Sequence, residues 1–563
     1  MFAILLCFVF QIEENDTDTK VNYTTEPRYR YHIPYELPSD LLDHLLHERI
    51  EKFIKEEDFL NLPRETDTID MFAYEAALTD RTFNLNKAGD FYKAKEIVSP
   101  YLVSFEQDSV PLTYGGDLRA FLLYNLADAV YYSAYDKYGS LENISVRNKA
   151  RELYYQIVTG YPDSYVATFA QISLAWGAME EGNPEAPDFF REIFYSTKKI
   201  DARILAAYGK ALAHYYNHEL DSAWMWFADE EWYEKNLKVT TQPKEAGNEL
   251  SYSELASILI DRSLYWKAVT AEQGEWFGDA LDLYIHITEA YPERSTAGDA
   301  YRKIVEYYLL AREPERAEEK TAELGKKAKR NPEIYQDAYE FAVSLMYNYF
   351  LNVSEERDDA EKYSKTYFKI TGNSEMIEQL YYMEAMELTD TNDIKHLEGT
   401  VEMIRDYNPE SIYLIDPLYN LSLLFSSMDR WEEVREITGE LINWHDSNTV
   451  RILMPELSLQ LSRSQYELGI YDKSIEGLED WIQIYTEGDY ARVDLAPNAY
   501  WFLALSYYQQ GEQEKVPQRR SALYRKAKIH LETFKQDYYG TEISSPELDD
   551  AVDLLLAECE RNI

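Results

Sequence analysis

The chain has 563 residues, with 102 acidic and 56 basic side chains, which gives a formal net charge of −46. Such a charge opposes binding to DNA, RNA or an anionic bilayer, because these polyanions are bound through Lys and Arg. With 45% apolar residues the chain can bury a large core, so its composition is not that of a disordered acidic tail. Its two cysteines, Cys7 and Cys559, exclude a disulfide framework or a cysteine metal site within the body.

The sequence begins with an apolar stretch, residues 1–10 (MFAILLCFVF), and turns polar directly afterwards. Ten residues are about half of what a membrane-spanning helix needs, and they match the apolar core of a secretory signal. Neither a basic start nor a small-residue cleavage site accompanies them, so a truncated signal or a buried element stays open as the alternative. Residues 11–40 are polar, Thr-rich and broken by prolines, which predicts an extended or disordered arm.

From residue 41 onward nearly every segment has the period of an amphipathic helix, and Pro and Gly fall between the periodic segments. Two distant segments, ARELYYQIVTGYP and ALDLYIHITEAYP, share Ala, Tyr and Pro at the same offsets. The matching residues are Ala150, Tyr154 and Pro162 in the first segment and Ala280, Tyr284 and Pro292 in the second.

Weaker copies of this pattern begin at Leu397 and Ala527, and Gly469 belongs to another part of the signature. The pattern resembles the tetratricopeptide repeat (TPR), a helix–turn–helix of about 34 residues. The Tyr-Pro ending is similar to TPR units of bacterial envelope proteins such as BamD and the Tol–Pal-associated proteins. The resemblance implies an all-α fold: an α-solenoid of about ten or eleven TPR-like hairpins, wound as a right-handed superhelix. We expect the solenoid over residues 41–544 and a capping helix over residues 545–563.

Elementary packing gives each repeated residue a role. A small residue such as Ala150 lets the second helix of a hairpin approach the first, and Tyr154 is expected to be buried between hairpins. Pro162 cannot continue a helix and therefore ends the hairpin. Ser164 or Ser295 is expected to cap the next helix through its side-chain oxygen. Adjacent tyrosines, as in Tyr131-Tyr132, lie about 100° apart on a helix, so at most one of each pair should point fully into the core.

Insertions interrupt the period, and two of them are candidate binding sites. The polar connection between residues 228 and 248 contains Trp232 and Tyr233, which are candidate partner-binding residues if they point outward. The last hairpin contains a basic stretch with Arg519, Arg520 and Arg525, whose functional interpretation is a docking patch for an acidic partner or phosphate. The alternative, a solvated helix face that pairs with nearby acids, is the simpler interpretation.

The sequence contains little that predicts catalysis. His214 and His218 are four residues apart, as in zinc-binding helices, but Tyr215 stands where a metalloprotease has Glu, and ordinary histidines are the simpler interpretation. Acidic pairs are unavoidable among 102 carboxylates, and neither a nucleophile elbow nor a Gly-rich phosphate loop is present. We therefore predict no catalytic residue, no metal ligand and no cofactor.

These observations predict a non-enzymatic protein–protein interaction scaffold, in which a groove of stacked first helices receives a peptide or helix of another protein. We expect no nucleic-acid partner and no integral membrane span. The expected setting is a bacterial envelope complex, periplasmic or outer-membrane associated, or the cytoplasm if residues 1–10 are not a signal. An outer-surface protein that captures carbohydrate or another nutrient is the alternative, and it would need Trp232 and Tyr233 exposed. A third possibility, an enzyme with a helical toroid or solenoid core, would need buried carboxylates clustered with a histidine.

Overall fold

A computed structural model describes residues 68–105, 116–135, 143–238, 252–444, 448–487 and 491–563. Their regular elements are 24 α-helices with three short π- or 3-10-helical segments, which confirms the predicted all-α class. Residues 1–10 and 11–40, for which we predict a signal and an arm, lie outside the described residues. The chain divides into two compact units, which meet in sequence between Tyr339 and Glu340.

Fourteen described helices begin in the first unit, the last of them crossing its boundary. They are α1 Thr68–Lys87, α2 Phe91–Phe105, α3 Gly116–Tyr132, α4 Ile144–Gly160, α5 Ala167–Glu180, α6 Ala186–Ser196, α7 Ile200–Tyr216, α8 Leu220–Trp226, α9 Glu230–Leu237, α10 Tyr252–Gln273, α11 Phe277–Ala290, α12 Thr296–Leu310, α13 Pro314–Ala328 and α14 Pro332–Tyr349.

The second unit contains the remaining ten α-helices of the described residues. They are α15 Arg357–Thr371, α16 Glu375–Glu387, α17 Ile394–Tyr407, α18 Ile415–Ser427, α19 Trp431–Ile442, α20 Asn448–Glu467, α21 Tyr471–Tyr485, α22 Ala496–Gln513, α23 Pro517–Asp537 and α24 Pro546–Asn562. A π-helical segment, Phe350–Ser354, follows α14, and 3-10 segments precede α17 (Thr391–Asp393) and α18 (Ile412–Leu414).

Within each unit the helices pack mainly against their neighbours in the chain. Ten consecutive pairs of described helices form hairpins: α1–α2, α3–α4, α5–α6, α7–α8, α10–α11, α12–α13, α16–α17, α18–α19, α20–α21 and α22–α23. One hairpin cannot bury its own apolar face, but stacked neighbours share a continuous core. This local packing is that of an α-solenoid. The handedness of the superhelix and the boundaries at residues 41, 544 and 545 stay predictions.

The second helices of the hairpins, and α15, each carry a residue at most 1% exposed at the repeat position of Ala150 and Ala280. These residues are Ala94, Ala150, Ala186, Ala223, Ala280, Ala317, Ala360, Leu397, Val434, Ser474 and Ala527. From Ala186 to Ala223 and from Leu397 to Val434 there are 37 residues. The repeat is therefore longer than a TPR, which has about 34 residues. A search at the TPR spacing for this reason finds only some of the copies.

Most of the described hairpin turns contain a residue with positive φ, usually five positions before the buried residue. Gly469 occupies this position with φ 75°, five residues before Ser474. At the same place in other hairpins stand non-glycine residues such as His218, Glu275 and Arg312, with φ between 59° and 60°. Left-handed backbone costs these side chains about 1–2 kcal/mol each.

Pro162 and Pro292 lie where the sequence pattern predicts, just after the ends of α4 and α11. Before Pro162, Tyr161 has φ −135° and its N–H donates to the Ile157 carbonyl oxygen at 2.9 Å. The predicted caps are wrong: Ser295 is the N-cap of α12, yet its side chain accepts no capping hydrogen bond. The reason is its helical backbone (φ −59°, ψ −36°), since a capping side chain needs extended geometry. Ser164 lies two residues before the N-cap of α5, outside the capping position.

Tyrosine is more deeply buried than the sequence predicts. Tyr131 and Tyr132 are 1% and 7% exposed, so the expectation that only one of the pair enters the core is wrong. Helix α3 is covered on two sides: Tyr132 stacks on Phe91 with ring centroids 4.9 Å apart, while the Tyr131 hydroxyl donates to Glu180. A helix inside a solenoid therefore buries a wider face than a surface helix does.

Candidate functional site

The basic stretch predicted as a docking patch lies on α23 and divides into two parts. Arg519, Arg520 and Arg525 are exposed, and Arg520 donates to the Glu514 carbonyl oxygen at 2.9 Å. Further along the helix, the Lys528 ammonium lies 2.8 Å from a Glu560 carboxylate oxygen. The second part therefore pairs with nearby acids, as the alternative predicts. Within the described residues neither Arg519 nor Arg525 forms an ion pair.

The second predicted patch is not a surface platform. Residues 239–248 of the polar connection lie outside the described residues, and the part before them forms α9. Tyr233 is 1% exposed there, so it does not provide the outward aromatic ring that the nutrient-capture alternative needs. Trp232 is half-buried, and its ring centroid lies 5.9 Å from that of Trp226. Asp229 starts the helix by accepting a hydrogen bond from the Trp232 N–H at 2.9 Å, and Lys267 of α10 contacts its other oxygen at 2.8 Å. Helix α9 therefore buries Tyr233 and Leu237 and exposes most of its charged residues.

His214 and His218 do not share a helix face. Helix α7 ends at Tyr216, and His218 occupies the positive-φ turn with φ 59°, which reverses the chain between the two rings. The His214 ring instead lies against Glu219, with Nδ1 2.5 Å from a carboxylate oxygen. No group of three or more His, Cys, Asp or Glu in the described residues is placed to hold a metal ion.

Three first helices of the second unit form a surface that the sequence analysis did not single out. On each of them, four residues at the spacing i, i+4, i+7 and i+11, counted from one shared repeat position, fall on a single helix face. We call this surface the unit 2 face. Its residues are Glu375, Gln379, Tyr382 and Met386 on α16; Ile412 in the 3-10 segment before α18, with Asp416, Tyr419 and Leu423 on α18; and Ile452, Glu456, Leu459 and Arg463 on α20.

The outer rows of the unit 2 face each combine two exposed apolar side chains with one charged residue, Glu375 in one row and Arg463 in the other. Ile412 is 67% exposed, Ile452 74%, Leu423 46% and Met386 36%. The Asn420 amide lies 3.6 Å from the Met386 sulfur, which places α16 and α18 side by side at this row. Leu423 follows Met386 by 37 residues and therefore has the same place in the next repeat.

The middle rows combine tyrosines with carboxylates. The Tyr382 hydroxyl donates to Asp416 at 2.9 Å, linking α16 to α18. Burial and then this carboxylate raise the pKa of Tyr382, and burial and then Glu456 raise the pKa of Tyr419. Both phenols therefore stay protonated at neutral pH and serve as hydrogen-bond donors. Arg492 contacts Glu456 and also Asp494, at 2.9 Å from the latter.

Helix α12 of the first unit has a different chemistry at the equivalent positions. On α12 the equivalent positions before Ala317 are Asp299, Arg302 and Glu306. The Lys303 ammonium lies 3.3 Å from Glu306 and 3.5 Å from Glu272 of α10. This part of α12 carries paired charges, whereas the unit 2 face carries exposed apolar side chains at the same repeat positions.

A signal for the unit 2 face exists in the sequence. Tyr382 and Met386 are separated by four residues, as are Tyr419 and Leu423, and the two pairs are 37 residues apart. A search with a repeat of about 34 residues misses this match, because it shifts the second pair by almost one helical turn.

Within each unit, the packing of the described helices defines an α-solenoid of helical hairpins. Within the described residues, none of the helices has the length and apolar character needed to cross a membrane. No protein-family model and no curated protein sequence matches the chain.

Several solved structures are similar to the chain at low identity. The TPR domain of P58(IPK) is 12% identical with a TM-score of 0.21, over 78% of this chain and 99% of that chain. The APC/C heterotetramer Cut9–Hcn1 is 13% identical with a TM-score of 0.23, over 96% and 99% respectively. The structure of Naa15/Naa10 bound to HypK-THB is 13% identical with a TM-score of 0.22, over 92% and 78%. Because these TM-scores are low, the fold class rests on the helix packing and the repeat register described above.

Proposed function

We propose that this protein is a non-enzymatic scaffold of TPR-like repeats that binds other proteins through the first helices of its hairpins. The observation that carries the proposal is the unit 2 face, where Met386 and Leu423 recur at one repeat position and are both exposed. Burial of such side chains against a partner is favourable by about 25 cal/mol for each Å² of apolar surface removed from water. Tyr382 and Tyr419 beside them add the aromatic surface with a polar end that protein interfaces favour.

The cellular setting is part of the proposal. The apolar residues 1–10 and the Tyr-Pro ends of two hairpins support a bacterial envelope complex, periplasmic or outer-membrane associated. If residues 1–10 are not a signal, we propose a cytoplasmic scaffold instead. Fractionation of the native host, with mass determination of the mature N-terminus, distinguishes these locations. The nutrient-capture alternative loses its main support because Tyr233 is buried.

Affinity capture with a matched pair of variants tests the scaffold function. The full chain is tagged and recovered from its native host as wild type, as Leu423→Asp and as Leu554→Asp. Leu554 is 71% exposed on α24, so its substitution adds the same charge away from the unit 2 face. We expect specific proteins to co-purify with wild type and Leu554→Asp and to be lost with Leu423→Asp.

The opposite pattern would count against the proposal. If all three forms recover the same proteins, the unit 2 face does not bind them. If no protein is recovered by wild type under conditions that stabilise weak complexes, the scaffold function itself fails. Circular dichroism of the three forms controls for unfolding, which is not expected because both substituted side chains are exposed.

A further inference from the structure

We infer that the partner segment bound by the unit 2 face is a short amphipathic helix with a cationic polar side. This inference rests on the proposed function and adds the chemistry of the partner. It is carried by the order of the rows, in which exposed apolar side chains at both ends flank the carboxylates of Asp416 and Glu456. Such a surface matches a segment that has apolar residues on one side and Lys or Arg beside them.

The apolar rows set the size and type of the segment. Ile412 and Leu423 are eleven residues apart, which corresponds to about 16 Å along the helix direction. Neighbouring helices pack about 8–10 Å apart, so three first helices give a surface of similar width. A helix of about three turns covers this area and can place apolar residues over both end rows. Met386 adds a flexible side chain that adapts to different apolar partners.

The carboxylates favour a cationic partner over an anionic or neutral one. Asp416 accepts a hydrogen bond from Tyr382, but within the described residues it has no Lys or Arg partner, and exposed Glu375 has none either. Glu456 already contacts Arg492. A Lys or Arg of the partner near Asp416 would therefore meet a negative charge that this part of the chain leaves uncompensated, in a protein whose net charge is −46.

Fluorescence anisotropy with synthetic peptides tests the inference on the full chain. The probe is a fluorescein-labelled 14-residue peptide of Leu and Lys with a helical apolar face. One control peptide has the same composition in scrambled order, and a second has Glu in place of Lys. We expect the amphipathic Leu/Lys peptide to bind at least about tenfold more tightly than either control at 0.15 M salt, where non-specific attraction is screened.

Variants of the protein locate the binding site. Met386→Ser with Leu423→Ser should weaken binding of the Leu/Lys peptide about tenfold or more, whereas Leu554→Ser should change it less than about twofold. Asp416→Asn should weaken binding about two- to fivefold and reduce its salt dependence, with exposed Asp550→Asn as the matched control. If either serine substitution lowers the unfolding temperature, Gln at the same two positions repeats the test with longer side chains.

Three results would overturn the inference. The scrambled peptide could bind as tightly as the amphipathic one, the Leu/Glu peptide could bind better, or the double serine variant could leave the affinity unchanged. In each case the capture experiment with Leu423→Asp shows separately whether the unit 2 face binds proteins. If that variant still loses its partners, the unit 2 face binds proteins of another chemistry, and only the inference about the cationic helix fails.

Discussion

At the scale of single residues, tyrosine explains how so acidic a chain packs its carboxylates. The chain has 50 tyrosines and 102 acidic residues but only 56 lysines and arginines. At least twelve tyrosine hydroxyls in the described residues donate hydrogen bonds to Asp or Glu, among them Tyr165 to Asp201 and Tyr508 to Glu558. A phenol supplies the donor without a second charge, so half-buried carboxylates are satisfied although cations are few.

Removal of one such donor should be measurable. The Tyr381 hydroxyl donates to Glu361 at 2.6 Å, and together with Lys365, which has the larger effect, it holds the pKa of Glu361 below its ordinary value. We expect Tyr381→Phe to reduce the free energy of unfolding by about 0.5–1.5 kcal/mol. Urea denaturation followed by circular dichroism measures the change. Tyr92→Phe is the control, because Tyr92 is 75% exposed and should change stability by less than about 0.5 kcal/mol.

The positive-φ residues of the hairpin turns predict stability changes of opposite sign for two substitutions. Gly469 has φ 75°, so Gly469→Ala should destabilise the protein by about 1 kcal/mol, since an added Cβ opposes left-handed backbone. Glu275, with φ 60° at the equivalent place, is exposed, and Glu275→Gly should stabilise by up to about 1 kcal/mol. Both changes are measured by chemical denaturation. A loss of stability in Glu275→Gly would show that the turn does not strain this side chain.

At the scale of elements, the sequence predicts hairpins best where the repeat keeps both its small residue and its aromatic ending. Ala150 and Ala280 are recognisable because Tyr-Pro follows each at the end of the helix. Ala186, Ala223 and Ala317 occupy the same buried position, but different residues end their helices, so no pattern marks them. Their positions become evident only when the longer spacing of the repeat is known.

Helix α9 shows what local sequence cannot predict. Its residues EEWYEKNL are mostly polar, which favours an exposed connection. Tyr233 and Leu237 are nevertheless buried, and Lys267 of α10 contacts Asp229 at the start of the helix. The unit 2 face was missed for a related reason, since exposure of Leu423 depends on which neighbours α18 has.

Close packing of the hairpins predicts that the buried alanines do not accept larger residues. Ala280 is fully buried at the start of α11, so Ala280→Leu should destabilise by about 1–3 kcal/mol through overpacking. Glu289→Leu adds an apolar side chain at an exposed position of the same helix and should change stability by less than about 0.5 kcal/mol. Thermal unfolding of both variants checks the difference. Equal unfolding temperatures would mean that α11 has room beside Ala280.

At the scale of the whole molecule, the net charge of −46 predicts a dependence of stability on pH. Burial raises the pKa of Asp80, Asp261 and Glu272 above the ordinary value. The folded state therefore binds protons at a higher pH than the unfolded state, and stability rises as pH falls towards these pKa values. The mutual repulsion of the acidic side chains also decreases as pH falls, because some of them become protonated.

Other groups limit this gain at lower pH. Burial lowers the pKa of His214 and His530, so their contribution to stability decreases below about pH 6.5, where the unfolded histidines become protonated. Glu361 and Asp494, whose pKa values are lowered by Lys365 and Arg492 respectively, lose their contribution only below about pH 4. We expect an unfolding temperature about 2–5 °C higher at pH 5.5 than at pH 7.5, measured by calorimetry at low salt. A flat or inverted profile would show that the histidines outweigh the carboxylates.

The central claim is that the first helices of the second unit bind another protein. Site-specific photo-cross-linking in the native host tests it most directly, with a photoreactive amino acid placed at Leu423 in one form and at Leu554 in the other. Both positions are exposed, but only the first lies on the unit 2 face. We predict a discrete protein adduct from position 423 and none from position 554. Adducts of equal yield from both positions, or none from position 423, would contradict the claim.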